Sequence, residues 1–253
     1  MLDEDVIASE LGRPSFQPPA ITETDLAALP DSVQRYLRFM GVVDRPRDWS
    51  FRAHLKGRFR LRPSQRFMPC EVWQYDSAVE IARLFHMRID FAGFVPMVAR
   101  DSYLGGHGHM LGKLLGAITV ADGQGPEFDI GELSTFLNDA VLLAPGLLFR
   151  DGVAWSEVDH DSFDVALTDA GHTVTARVFL DERGAPRNFS TTDRYAALPT
   201  GTVQAEWTTP VADWSTVNGR ALPGTGAAVW HLADGEFTYA EFAFEHTAFE
   251  YNI

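Results

Sequence analysis

Asp101 and Tyr103 stand two residues apart in the run 95–103, so on a strand an acid and a phenol share one face with Met97 and Ala99. Such a pair lines a cavity as a proton-transfer site, or else Asp101 anchors a bend before Gly105 and Gly106. His107 and His109 form an H-x-H pair whose rings point to one side of a strand, as a metal site needs. A third ligand would have to come from Asp101, His86 or Glu206, and the alternatives are two pocket-lining imidazoles or two surface ones. Asp139 is flanked by Phe136, Ala140 and Leu143 in a helical apolar pattern, which desolvates its carboxylate. It then serves as a general acid or base, or it is a structural carboxylate paired with an arginine or a backbone donor.

Arg194 and Glu206, with Tyr195 and Trp207 beside them, fall on neighbouring late strands. An arginine facing a cavity recognises a carboxylate or phosphate, whereas a bridge to Asp193, Glu206 or Asp139 makes it structural. Trp155, Trp207, Trp214 and Trp230 suit a core as well as a stacking platform. The candidate catalytic set is therefore Asp101, Tyr103, His107, His109 and Asp139, with Arg194, Glu206, Trp207, Phe136 and Leu143 as ligand contacts.

Elements that could position these residues follow from periodicity. Residues 50–61 alternate strictly, with Phe51, Ala53, Leu55, Gly57, Phe59 and Leu61 opposite Arg52, His54, Lys56, Arg58 and Arg60, which is a strand with one dry face. Its basic face is a solvated sheet surface, with a protein-interaction patch over 52–62 as the rival reading. Strand patterns continue over 71–75, 79–91, 95–103, 107–120, 153–159, 162–167, 173–180, 187–195, 204–217, 227–232 and 237–249. Helical spacing occurs after Pro30, closed by Gly41, and again from Asp129 to Leu143, while Thr24 is a candidate cap for a short turn. About a dozen strands exceed an ordinary open sheet and should curl. The expectation is a mainly β (α+β) domain: a large curved antiparallel sheet or half-barrel with helices on its concave side. Residues 1–22 form a proline-rich surface arm, and 23–253 form the single half-barrel domain.

Composition narrows the chemistry. A formal charge of −14 disfavours nucleic acid and anionic membrane surfaces, because binding phosphate draws on surplus lysine and arginine. The single cysteine, Cys70, reads as a small buried hydrophobe, and the acidic N-terminal stretch does not read as a secretory signal. No apolar stretch reaches the length of a membrane span, so a cytoplasmic location is expected. Glycine-rich nucleotide loops, a G-x-S-x-G elbow, H-E-x-x-H and paired C-x-x-C motifs are all absent from the sequence, so no cofactor is expected.

Several segments, in order, resemble one family. They are residues 29–42 (LPDSVQRYLRFMGV), Arg100-Asp101-Ser102-Tyr103 with Gly106, Gly108 and Met110, then 125–133, Val153-Ala154-Trp155, and finally Trp230, Gly235, Phe237, Tyr239, Tyr251 and Asn252. The chain from about residue 28 onward is similar to the bacterial domain-of-unknown-function groups numbered 6544 and 6920. That resemblance implies a half-barrel similar in outline to the lipoprotein-carrier (LolA/LolB-like) fold, and no established activity. In the family pattern His107 and His109 sit between glycines and carry no motif, so no metal is expected. Where members carry a helix glutamate followed by tryptophan, this chain has Asp139 and no aromatic in 138–142.

A curled sheet closed by an apolar helix encloses room for a ligand. The expected function is binding of an apolar or amphipathic small molecule between sheet and helix, with a cofactor-free acid–base enzyme, of cyclase, isomerase or hydrolase type, as the alternative.

Overall fold

The computed structural model describes residues 2–91, 95–198, 201–245 and 249–253. Three helices precede the sheet: α1 (Leu2–Ala8), α2 (Glu23–Ala27) and α3 (Asp31–Met40). Six strands follow, β1 (Ser50–Phe59), β2 (Met68–Ala78), β3 (Ile81–Phe91), β4 (Val95–Leu104), β5 (His107–Leu114) and β6 (Ile118–Gln124). Helix α4 (Pro126–Leu143) then leads through a 3-10 turn (Pro145–Leu148) into β7 (Val153–Asp159), β8 (Ser162–Asp169), β9 (His172–Leu180) and β10 (Pro186–Thr191). The last strands are β11 (Tyr195–Leu198), β12 (Gly201–Gln204), β13 (Glu206–Thr208), β14 (Val211–Ala212), β15 (Ser215–Val217), β16 (Arg220–Leu222), β17 (Thr225–Leu232), β18 (Gly235–Ala243) and β19 (Phe249–Tyr251).

Fifteen strands form one sheet among the described residues, in the order β6-β5-β4-β3-β2-β1-β18-β17-β13-β10-β9-β8-β7, with β14 on β17 and β19 on β1. Helix α4 packs on β4 and β5 near one end of this order and on β9 and β10 near the other. One helix reaches both ends only if the sheet curls around it, so the half-barrel is a property of the contacts themselves. Its two wings meet where the turn after β4 abuts the turn after β8: a Cβ on Gly106 would lie 2.4 Å from that of Ala170.

Helix α4 starts with Pro126 in its first turn, together with Glu127 and Asp129, which suit the positive end of the helix dipole. The sequence pattern suggests one apolar stripe, but the helix is buried on nearly every side, because the curled sheet surrounds it. Asp129, Glu132, Ser134, Thr135, Asn138 and Asp139 are consequently buried polar groups. Gly108 permits the close approach of the helix start, since a Cβ there would sit 2.0 Å from the Phe128 carbonyl oxygen. Tyr36, from α3, donates to the Val141 carbonyl at 2.7 Å and ties the helices together.

Several boundaries differ from the sequence expectation. The arm contains α1, whose Leu2 and Val6 pack with Leu11 against Tyr75 and Leu84 on the far side of the sheet. Thr22, not Thr24, caps α2, through a reciprocal bond with Asp25. The run 107–120 is broken at Leu115, and 204–217 is three short strands. The expected strand 237–249 includes 246–248, which lie outside the described residues; β18 ends at Ala243. Along β1 the expected dry face is buried at Phe51, Ala53 and Leu55 and half-buried at Gly57 and Phe59, whereas Leu61 lies beyond the strand and is exposed. On the basic face Arg52 meets Asp3 at 2.8 Å, His54 meets Glu71 at 2.7 Å, Lys56 meets Glu245 at 3.2 Å and Arg58 meets Glu241, while Arg60 donates to the Thr238 and Pro63 carbonyls. From Arg52 to Arg58 that basic face is locally neutralised.

Candidate functional site

The concave face of the β3–β5 wing can be read as cross-strand layers, because residues paired across a ladder point to the same side. Met97 stands between Ile89 and Leu114, Ala99 between Met87 and Gly112, and Asp101 between Phe85 and Met110. One layer further, Tyr103 stands between Arg83 and Gly108, and Arg83 pairs with Asp76 on β2. The face is thus apolar from the layer of Ile89, Met97 and Leu114 as far as Phe85 and Met110, and turns ionic at Asp101. Phe85, Met97, Ala99, Met110 and Leu114 are half-buried.

Beneath α4 the ionic layer closes around Arg83. Its Nε donates to Asp139 at 2.7 Å and its Nη1 to Glu132 at 3.0 Å. Gln74 Nε2 donates to Asp139 at 2.7 Å and spans both oxygens of Asp76 at 3.3 and 3.2 Å. From the opposite wing Arg194 bonds Thr135 of α4 and lies over the rings of Trp207, at 4.4 Å, and Trp230, at 5.7 Å. Trp207 Nε1 donates to the Tyr239 hydroxyl at 3.1 Å. Asp101 Oδ1 is enclosed and has no hydrogen-bond partner among the described residues.

Four carboxyls face two guanidinium groups in this volume, and the imbalance governs their titration. Burial raises Glu132 to about 7, with the Asp101 charge adding and Arg83 and Arg194 opposing. Burial likewise raises Asp101 against the pull of Arg83 and Arg194, and raises Asp139 against its bonds to Arg83 and Gln74. Asp76 is driven well above the ordinary range by burial and then by the Asp139 charge. For Arg83, burial favours the neutral form, and the surrounding carboxylates outweigh it. Burial thus disfavours the ionised form of all four carboxyls, and the two guanidinium groups oppose that shift.

Asp101, Asp139, Arg194 and Trp207 are brought to this one region. Tyr103 is not in it: its hydroxyl donates to Asp169 at 2.9 Å, in a second polar group where Asp129 accepts from the Gly108 backbone at 2.7 Å. His107 stands beside that group, its Nδ1 3.8 Å from Asp129, and its side chain is 83% exposed. His109 pairs with Asp122 at 2.8 Å on the outer face. Glu206 also turns outward, accepting from Ser190 at 2.6 Å. Phe136 and Leu143 are core residues, at 0% and 6% exposure. Among the described residues no three His, Cys, Asp or Glu side chains are arranged so as to hold a metal ion.

Arg83, Glu132, Asp76, Gln74 and Tyr239 escaped the sequence reading. A signal existed for two of them: Arg83 shares strand parity with Phe85 and Met87, and Glu132 precedes Asp139 by two helical turns on one face. Much of the concavity of the sheet is taken up by α4, which is buried on nearly every side. Two open hollows lie elsewhere, one of about 610 Å³ around Lys56, Val211, Gly226 and Phe242, the other of about 410 Å³ under the arm beside Val6, Arg13, Arg52 and Tyr75.

No curated protein matches the chain. Among solved structures it is similar to a putative outer membrane lipoprotein-sorting protein domain from Vibrio parahaemolyticus, at 10% identity and TM-score 0.42, over 80% of this chain and 85% of that one. It is also similar to a LolA superfamily protein from Nitrosomonas europaea, at 11% identity and TM-score 0.42, over 91% and 94% of the two chains. The model of one family matches residues 19–242, most of the chain, and on that match the chain belongs to the Family of unknown function (DUF6544).

Proposed function

We propose that this chain binds an amphipathic small molecule on the concave face of its sheet, tail toward Met97 and Leu114, polar end toward Asp101 and Arg194. The observation that carries the reading is the segregation of that face: half-buried apolar layers lead to Asp101, whose enclosed Oδ1 lacks a donor. An ammonium or hydroxyl head would supply that donor, and an apolar tail would remove the half-exposed methionine and aromatic surface from water. Trp207 and Trp230 stand beside the polar end, which gives a direct readout.

Titration with dodecylamine, followed by tryptophan fluorescence and native mass spectrometry, should show a single bound molecule. Ala99→Arg, which puts a charge in the apolar layer, should abolish binding while circular dichroism stays native. Absence of binding by folded wild-type protein, with dodecanol and dodecanoate equally inert, removes the reading.

A second reading, acid–base chemistry at the same cluster, is favoured by the Glu132 carboxyl at about 7, poised to exchange a proton near neutrality. Carboxyl-carbon NMR placing Glu132 in the ordinary range for a glutamate would eliminate it.

A further inference from the structure

Exposed large apolar side chains are few among the described residues, and three of them fall within one short hairpin: Leu115 at 58%, Ile118 at 57% and Val120 at 55% exposure. The hairpin joins β5 to β6, and β6 is the first strand of the sheet, at its edge. Leu115 and Gly116 both have positive φ, 54° and 70°, and the Ala117 N–H closes the turn on the Leu114 carbonyl at 3.2 Å. Turns of this kind favour asparagine, aspartate or glycine at both central positions, because the left-handed region is strained for branched side chains. A leucine at this tip is unfavourable twice over, in backbone conformation and in exposure, so the folded chain alone gives no reason for it.

The surroundings carry the same character. Residues 114–121 contain no charged side chain, nor does the sequence 91–99, of which 95–99 belong to the adjoining strand β4. Strand β4 and the β5–β6 hairpin are joined directly, by the Met97–Leu114 pairing and by Leu115 N–H donating to the Pro96 carbonyl at 2.9 Å. The apolar layers of the concave face run to this same end, through Met97 and Leu114.

We propose that the β5–β6 tip docks on a zwitterionic lipid bilayer, and that the apolar face above it receives its amphipathic ligand from there. The inference rests on the ligand-binding reading and adds the source. Two features select the partner. The exposed parts of the three side chains, roughly 300 Å² together, fall short of the about 800 Å² per partner of a stable protein interface. A bilayer has no such threshold, since a few apolar side chains dip into it without a matching surface. Charge decides the lipid: a chain of net charge −14 with an uncharged tip is repelled by anionic headgroups and tolerated by zwitterionic ones.

Flotation of the full chain with phosphatidylcholine vesicles tests this. Wild-type protein should float with the vesicles, and less so when phosphatidylglycerol is added. The triple variant Leu115→Asn, Ile118→Asp, Val120→Asp should lose roughly ten-fold or more of the bound fraction. Its substitutions are exposed, and asparagine suits the left-handed turn, so its melting temperature should not fall. Wild-type protein that stays unbound, or a variant that floats equally well, overturns the inference. So does sedimentation showing that wild-type protein self-associates and the variant does not, which would make the tip an interface between copies. Dodecylamine binding separates this from the reading on which it rests. Retained amine binding with no flotation defeats the bilayer alone, whereas flotation without binding of dodecylamine, dodecanol or dodecanoate defeats the ligand reading alone.

Discussion

Arg83, on β3, holds together the carboxylates that β2, β4 and α4 bring into the interior, and removing it would leave Asp139 and Glu132 buried without the cation that bonds them. Arg83→Met should therefore destabilise the fold by about 3–5 kcal/mol at neutral pH, measured by urea denaturation, because a lone buried charge keeps its desolvation penalty. The deficit should shrink in acid, where those carboxyls take up protons. Glu132 makes a separate prediction. Its ordinary value is 4.5 and its folded value about 7, so between these limits the folded chain binds the proton and the unfolded chain does not. This contribution to stability is complete below about pH 4.5 and is lost as pH rises through about 7, a loss on the order of 3 kcal/mol. Glu132→Gln keeps an acceptor for Arg83 and cannot ionise, so it should flatten that part of the slope and leave the variant more stable than wild type at alkaline pH. Cys70 is simpler: burial pushes its thiol up to about 12, so a thiol reagent should label it only at the rate of unfolding.

At the scale of elements, the contact between α4 and β5 carries the tightest constraint. The backbone of Phe128 passes so close to Gly108 that a methyl group has no room, and both neighbours are main chain. Gly108→Ala should cost about 2 kcal/mol or more in urea denaturation, with disturbance centred on the Asp129 bond to the Gly108 N–H. Existence and type of most elements were legible in the sequence, because alternation in β1 and the stripe of α3 report which face is dry. The polar group of Asp129, Tyr103, Asp169 and His172 was not, since its members come from four elements and meet only where the wings of the sheet approach.

For the whole molecule, the curl of the sheet decides what the ionic cluster can reach. Arg194 and Trp207 lie some hundred residues from Asp101 along the chain, and the curl sets them across from it around α4. If an amphipathic amine binds there, dodecylamine at saturation should raise the melting temperature of wild-type protein, because it binds only the folded state. The Ala99→Arg variant should show no such rise in differential scanning calorimetry.

Alternating and helical periodicities determined a curved, mainly antiparallel sheet with an apolar helix carrying Asp139, because local patterns of burial are written in consecutive residues. They also singled out Asp101, whose polarity stands against Met97 and Ala99 of the same parity, while Arg194 was marked only by its place beside Tyr195 on a late strand. The partners that make these residues a site, Arg83, Glu132, Asp76 and Tyr239, were chosen by strand register and by the closing of the two wings. Register couples residues far apart in the chain, and a one-residue slip reverses every face. The outward placement of His107, His109 and Glu206 was settled in the same way, by which side of the ladder the tertiary structure turned toward α4.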